Sequence, residues 1–145
     1  MSTLSIDTPT ARPEKLKTIA YWGATALTAL AFLTGGLADL ARGPAMVSAL
    51  GQLGYPSYFL LILGAWKVLG ALAIVAPRLP RLKEWAYAGM AFDLTGAAIS
   101  HAAVGDPVAK IVVPLVILGV AAASWALRPA QSGRAFPAEP LAAHG

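Results

Sequence analysis

The sequence predicts an all-α protein: an integral membrane four-helix bundle with a short amphipathic helix in the loop between its first and second spanning helices. Three observations predict it. The 145-residue chain is 57% hydrophobic and 12% charged, against roughly 45–50% and 25% in a soluble domain. Its apolar residues gather in four long blocks. Each block is about the 20 residues that cross a hydrocarbon core of about 30 Å at about 1.5 Å per residue.

Residues 1–15 form a Ser/Thr/Pro-rich tail, read as flexible, ahead of a spanning domain over 16–128. The first block, 18–39, carries no charge before Asp39. Arg12, Lys15 and Lys17 precede it as they would a signal peptide, but the run exceeds an h-region of about 7–15 residues and no clean A-x-A site follows. It is read as a retained helix. In "GPAMVSALGQLGYP", Pro44 suits a first helical position, and Met46, Val47, Leu50 and Leu53 share a face until Gly54 and Pro56 end the pattern. A short helix lying in the outer interface is expected there.

The second block, 57–76, carries only Lys67. The third, 84–104, carries Asp93 and His101, and Glu84, Trp85 and Tyr87 at its start read as an interfacial belt. "VGDP" then reads as a helix start, with Asp106 as N-cap and Pro107 at the first position. The fourth block, 107–127, carries Lys110 near one end and Pro114 inside, where a kink is expected. Residues 129–145 are a Pro/Gly/Ala/Ser tail, also read as flexible.

Basic residues set the orientation. Arg12, Lys15, Lys17, Arg78, Arg81, Lys83, Arg128 and Arg134 fall on one side, against Arg42 and Lys110 on the other. The positive-inside rule then puts both termini in the cytoplasm, in what is read as a bacterial inner membrane. The net charge of +4 follows from this topology and from attraction to anionic lipid head groups, and gives no reason to expect a nucleic-acid partner. With no cysteine, the chain has no disulfide, CxxC pair, iron–sulfur ligand or thiolate nucleophile. Of its two histidines, His144 is in the tail, which leaves no bis-histidine haem within one chain and no histidine-rich metal site. No covalent cofactor is expected.

Lys67 lies about ten residues from either end of its block, roughly 15 Å from each interface. A lone charge at that depth costs about 2.5–3.5 kcal/mol on insertion scales, so a partner is required. Asp93 lies at nearly the same depth in the next block, and the short linker "APRLPRLKE" makes the two helices antiparallel neighbours. A Lys67–Asp93 pair is the economical expectation. Asp39 and His101 are placed higher, at the outer ends of their helices.

Three stripes extend this reading. Asp93, Gly96, Ala97, Ser100 and His101 share one helical face; Gly64, Lys67 and Ala71 share another; Tyr21, Thr25, Thr28, Phe32, Gly35 and Asp39 share a third. If the stripes converge, they enclose an outward-opening polar pocket floored by Lys67 and Asp93. The candidate ligand-binding or proton-relay residues are Lys67, Asp93, His101, Ser100, Asp39 and Trp66. The competing reading is a strut: a buried pair that fixes helix register, with small residues that only allow close packing. Asp39 alone reads equally as an end-of-helix group, His101 as a capping group, and Lys110 as the neutraliser of Asp106 four residues before it. If the pair is only a strut, Lys67→Met combined with Asp93→Leu restores stability.

"LGYPSYFLLILGAWKVLGALAIVAP" followed by "PRLKEWAYAGMAFDLTGAAISHAAVGD" resembles the DoxX-like family of small bacterial membrane proteins. The pieces are GYP before the second block, G-x-x-K-x-x-G around Lys67, KEWAYAG opening the third block, and G-A-x-x-S-H closing it. The resemblance implies a four-helix membrane bundle. It also implies kinship with the membrane subunit of a thiosulfate:quinone oxidoreductase and, distantly, with an animal protein that assists receptor assembly.

Three functions follow as expectations. The first is a binding subunit that holds a small lipophile, with a quinone as the named class, in a redox-linked assembly. The second is an assembly factor or chaperone for a client membrane protein. The third, a stand-alone lipid enzyme using Asp93 and His101 as acid and base, has no recognisable catalytic constellation behind it. Gly119, Ala121, Ala122, Ala123 and Ala126 add the expectation of a homodimer packed on the fourth helix.

Overall fold

The computed structural model describes residues 11–129, with side chains from Pro13 onward; most of both expected tails lies outside the described residues. The described chain is all helical, with five helices and no strand: α1 (Ala11–Ala41), α2 (Pro44–Gln52), α3 (Phe59–Val75), α4 (Pro80–Ala103) and α5 (Val108–Ala126). α1 starts well before the expected residue 18, because nothing in the Ala/Lys/Leu run after Pro13 breaks a helix. α4 starts a turn before Glu84, because Pro80 is pre-set for the first helical turn.

The helix ends follow local chemistry. Pro44 opens α2 behind Gly43, and Gly54, at φ +83°, turns the chain away after it. Gly105, at φ +72°, does the same after α4. Pro107 occupies the cap of α5, so the carboxylate of Asp106 makes no side-chain cap and goes elsewhere. α5 continues as one helix through the buried Pro114.

The four long helices pack in a closed ring, α1 against α3, α3 against α4, α4 against α5 and α5 against α1. The core between them holds Phe32, Ala71, Ile74, Tyr87, Met90 and Leu94. Threonines are tolerated because their hydroxyls bond back to carbonyls four residues earlier: Thr25 to Tyr21, Thr28 to Ala24, Thr34 to Leu30 and Thr95 to Ala91.

Much of the apolar surface faces outward. Ile19, Leu27, Trp66, Trp85, Phe92 and Val108 are all more than half exposed, far beyond the scattered apolar residues of a soluble monomer. Two helical stretches, Pro13–Ala41 and Val108–Ala126, are long and apolar enough to cross a membrane, and most of their residues are not buried within the protein. α3 is a third apolar helix, two turns shorter than α4.

Candidate functional site

The site begins at a glycine crossing. Gly36 of α1 and Gly64 of α3 face each other so closely that a Cβ on Gly64 would lie 2.8 Å from the Gly36 carbonyl oxygen and 3.0 Å from the Leu40 nitrogen. A Cβ on Gly36 would meet the Lys67 Cβ at 2.9 Å. Backbones that touch here set the register of the two helices. Gly64 stands level with residues 36–40, so Lys67 lies about one turn inward of Asp39.

That register decides the partner of Lys67. Its Nζ donates to Asp39 Oδ2 at 2.9 Å and lies 3.9 Å from Asp93 Oδ2. The expected pair with Asp93 is therefore the looser of two, and Asp39 is the hydrogen-bonded partner. The four-carbon stem of the lysine climbs toward the helix end that carries Asp39. Asp39 is also the most enclosed of the three, with 6% of its side chain exposed, against 23% for Lys67 and 20% for Asp93.

Two cavities lie on either side of this cluster. A cleft of about 470 Å³ between α1, α4 and α5 is walled by Phe32, Leu94, Pro114 and Ile117, with Lys67 and Asp93 in its lining. A chamber of about 320 Å³ lies beneath α2, under Met46, Leu50 and Leu53. Lys67, Asp93, Ala97 and His101 line both. His101 stands where the cleft meets the loop before α5, and its Nδ1 pairs with Asp106 Oδ2 at 2.7 Å, while Lys110 Nζ donates to Asp106 Oδ1 at 2.9 Å. Lys110 first, and then His101, hold the Asp106 carboxyl below the usual aspartate range. Ser100 bonds the Tyr55 hydroxyl at 3.0 Å, tying the segment after α2 to α4.

Five of the six candidates thus gather around the two cavities: Lys67, Asp93, His101, Ser100 and Asp39. Trp66 does not. It is 70% exposed and lines neither cavity, because it points away from the face that carries Lys67.

A second polar cluster, at the other end of the molecule, was not foreseen. Ser124 of α5 bonds both Thr25 of α1 and Tyr87 of α4 at 2.7 Å, and all three are buried. Tyr87 is therefore a core residue and not part of an interfacial belt, whereas Trp85 is 79% exposed. Thr25 shares a helical face with Asp39, but it packs inside the core and lines neither cavity. The available signal was a serine inside an otherwise apolar block, which implies a partner across the bundle. Nearby, Glu84 accepts from the Trp125 indole at 2.8 Å and pairs with Arg128. Among the described residues no three His, Cys, Asp or Glu side chains converge on a point that would hold a metal ion.

A model of the DoxX-like family matches residues 8–124 of this chain. No curated protein and no solved structure matches it.

Proposed function

The chain belongs to the DoxX-like family, and from that premise we propose that it is a four-span membrane protein that holds a small lipophile in the cleft beside Lys67. In this reading α1, α3, α4 and α5 cross a bacterial inner membrane and α2 lies in the outer interface. Both termini are cytoplasmic. Lys15, Lys17, Arg78, Arg81, Lys83 and Arg128 cluster at one end of the ring, with Arg42 and Lys110 at the other, which supports that orientation.

One observation carries the binding reading. Lys67 of α3 and Asp93 of α4 face one another in the lining of a cleft of about 470 Å³ that Phe32 and Gly35 of α1 help to wall, within the roughly 300–1,000 Å³ of small-molecule sites. A strut needs no adjoining space. The quinone class enters through the family, and with it a role as the membrane subunit of a redox-linked assembly, since the described residues include no electron carrier. Native mass spectrometry of protein gently extracted from its own membrane, beside Lys67→Met, tests this. A bound species of a few hundred daltons, lost in the variant, supports the pocket. A protein free of any such species counts against it.

A second reading rests on a different surface. A groove of about 310 Å³ between α4 and α5, floored by Ala88, Ala91, Ala121 and Ala122, lies open to the surroundings. Small residues let another transmembrane helix approach closely, from a second copy or from a client that the protein helps to assemble. The same spectra separate these occupants by mass.

A further inference from the structure

We propose that the occupant of the cleft presents an O–H or N–H donor to the Asp93 carboxylate, so that a quinone-class ligand is held in its reduced, hydroquinone form. The proposal deepens the binding reading above and rests on it.

The hydrogen bonds point this way. Lys67 gives one of its three N–H groups to Asp39 at 2.9 Å and faces a second carboxylate at 3.9 Å, so it can still donate to a ligand oxygen, carbonyl or hydroxyl alike, and does not choose between them. The choice falls to Asp93: bonds to ionised acceptors are roughly twice as strong as neutral ones, and only a ligand that donates can make one there. At 3.9 Å from Lys67, Asp93 has a charge contact and no hydrogen bond, and it accepts none from any other described residue. An ionised carboxylate only accepts, at about four lone-pair sites. A partly enclosed one with no donor is costly unless something supplies it.

The charge count agrees. The cluster beside the cleft holds two carboxylates, Asp39 on the side of the chamber and Asp93 in the lining of both cavities, around the single ammonium of Lys67, a formal excess of one negative charge. The mouth does not correct it. Lys110 and His101 both bond to Asp106, and His101 stands two turns along α4 from Asp93, about 12 Å away by helix rise. Across the cleft, Pro114 brings no N–H to the wall, and Phe32, Leu94 and Ile117 are apolar. Among the charged side chains that line the cleft, Asp93 alone makes no hydrogen bond to a described residue, and it is an acceptor.

The test uses the full chain in lipid nanodiscs and two probes of similar size and lipophilicity, para-nonylphenol, which can donate, and its methyl ether para-nonylanisole, which cannot. Calorimetry on the wild-type protein should give a phenol Kd about tenfold or more below that of the ether. Asp93→Leu should remove that preference, bringing the two Kd values together. The Lys67–Asp39 bond does not involve Asp93, and Asp93→Ala, which also removes the acceptor, serves if the leucine variant does not fold. Equal binding of the two probes, the result expected if Asp93 carries a proton and donates, overturns the donor inference and leaves the lipophile reading standing. A phenol preference unchanged in both variants overturns the assignment to Asp93. Binding of neither probe overturns the lipophile reading, and the inference with it.

Discussion

Lys67 reaches Asp39 because Gly36 and Gly64 let α1 and α3 touch, backbone against backbone. The ion pair and the glycine crossing are one arrangement. Gly64→Ala is therefore expected to destabilise the protein by about 1–3 kcal/mol, since its Cβ would meet main-chain atoms that cannot turn aside. Thermal unfolding in a fixed detergent should show the loss, with a smaller effect for Ala at Gly119, where a Cβ meets nothing within 4 Å.

Removing Lys67 strands Asp39, the most enclosed carboxylate of the cluster. Breaking such a pair costs about 3–5 kcal/mol, less if the carboxyl can take up a proton. The compensating change then belongs at Asp39. Lys67→Met with Asp39→Leu should recover more stability than Lys67→Met with Asp93→Leu, contrary to the expectation from sequence. Melting of the three variants side by side decides the order.

Ser124→Ala should cost about 1–3 kcal/mol, because it leaves the buried Tyr87 hydroxyl without the partner it has among the described residues. Thr25→Val should cost less, because Ser124 and Tyr87 keep their bond to each other. Combining Ser124→Ala with Tyr87→Phe should cost less than the sum of the two, which a double-mutant cycle measures.

Asp106 gives the mouth of the cleft a pH dependence of known sign. Its folded-state pKa lies below the ordinary value of 3.8, so its contribution is fully present above that value and is lost as pH falls through the folded pKa. The stability gap between wild type and Asp106→Asn should therefore hold at about pH 6 and shrink below about pH 4. Hydrogen exchange across residues 102–110, followed against pH, reads the same loosening.

The orientation can be tested directly, because the chain has no cysteine to confuse single-cysteine labelling. Cysteines placed at Gly43 and Gly105 should react with an impermeant maleimide applied from outside intact cells. Those placed at Leu79 and Pro129 should react only after the cells are opened. Reaction of all four from one side would sink the four-span reading.

The long helices were legible because the apolar blocks are separated by prolines, glycines and charges, and α2 because Pro44 and the Met46–Leu53 face mark it. The lysine's partner was not. Counting residues from block ends gives depth along one helix, but the offset between two helices depends on where they touch. That contact is set by Gly36, which differs from its neighbour Gly35 only in the direction it faces. Tyr87 was misplaced for a similar reason. α4 begins at Pro80, a turn earlier than the charge pattern suggests, and this shift carries Tyr87 from the rim into the core. Ser124 and Thr25 lie 99 residues apart in sequence, and no periodicity within one helix reveals a bond between two.

Lys67, Asp93, Ala97 and His101 form a partition with a cavity on each side. A molecule that draws the lysine toward one side withdraws it from the other, so the two affinities are thermodynamically linked. By reciprocity, whatever factor an occupant of the cleft imposes on the chamber beneath α2, an occupant of that chamber imposes on the cleft.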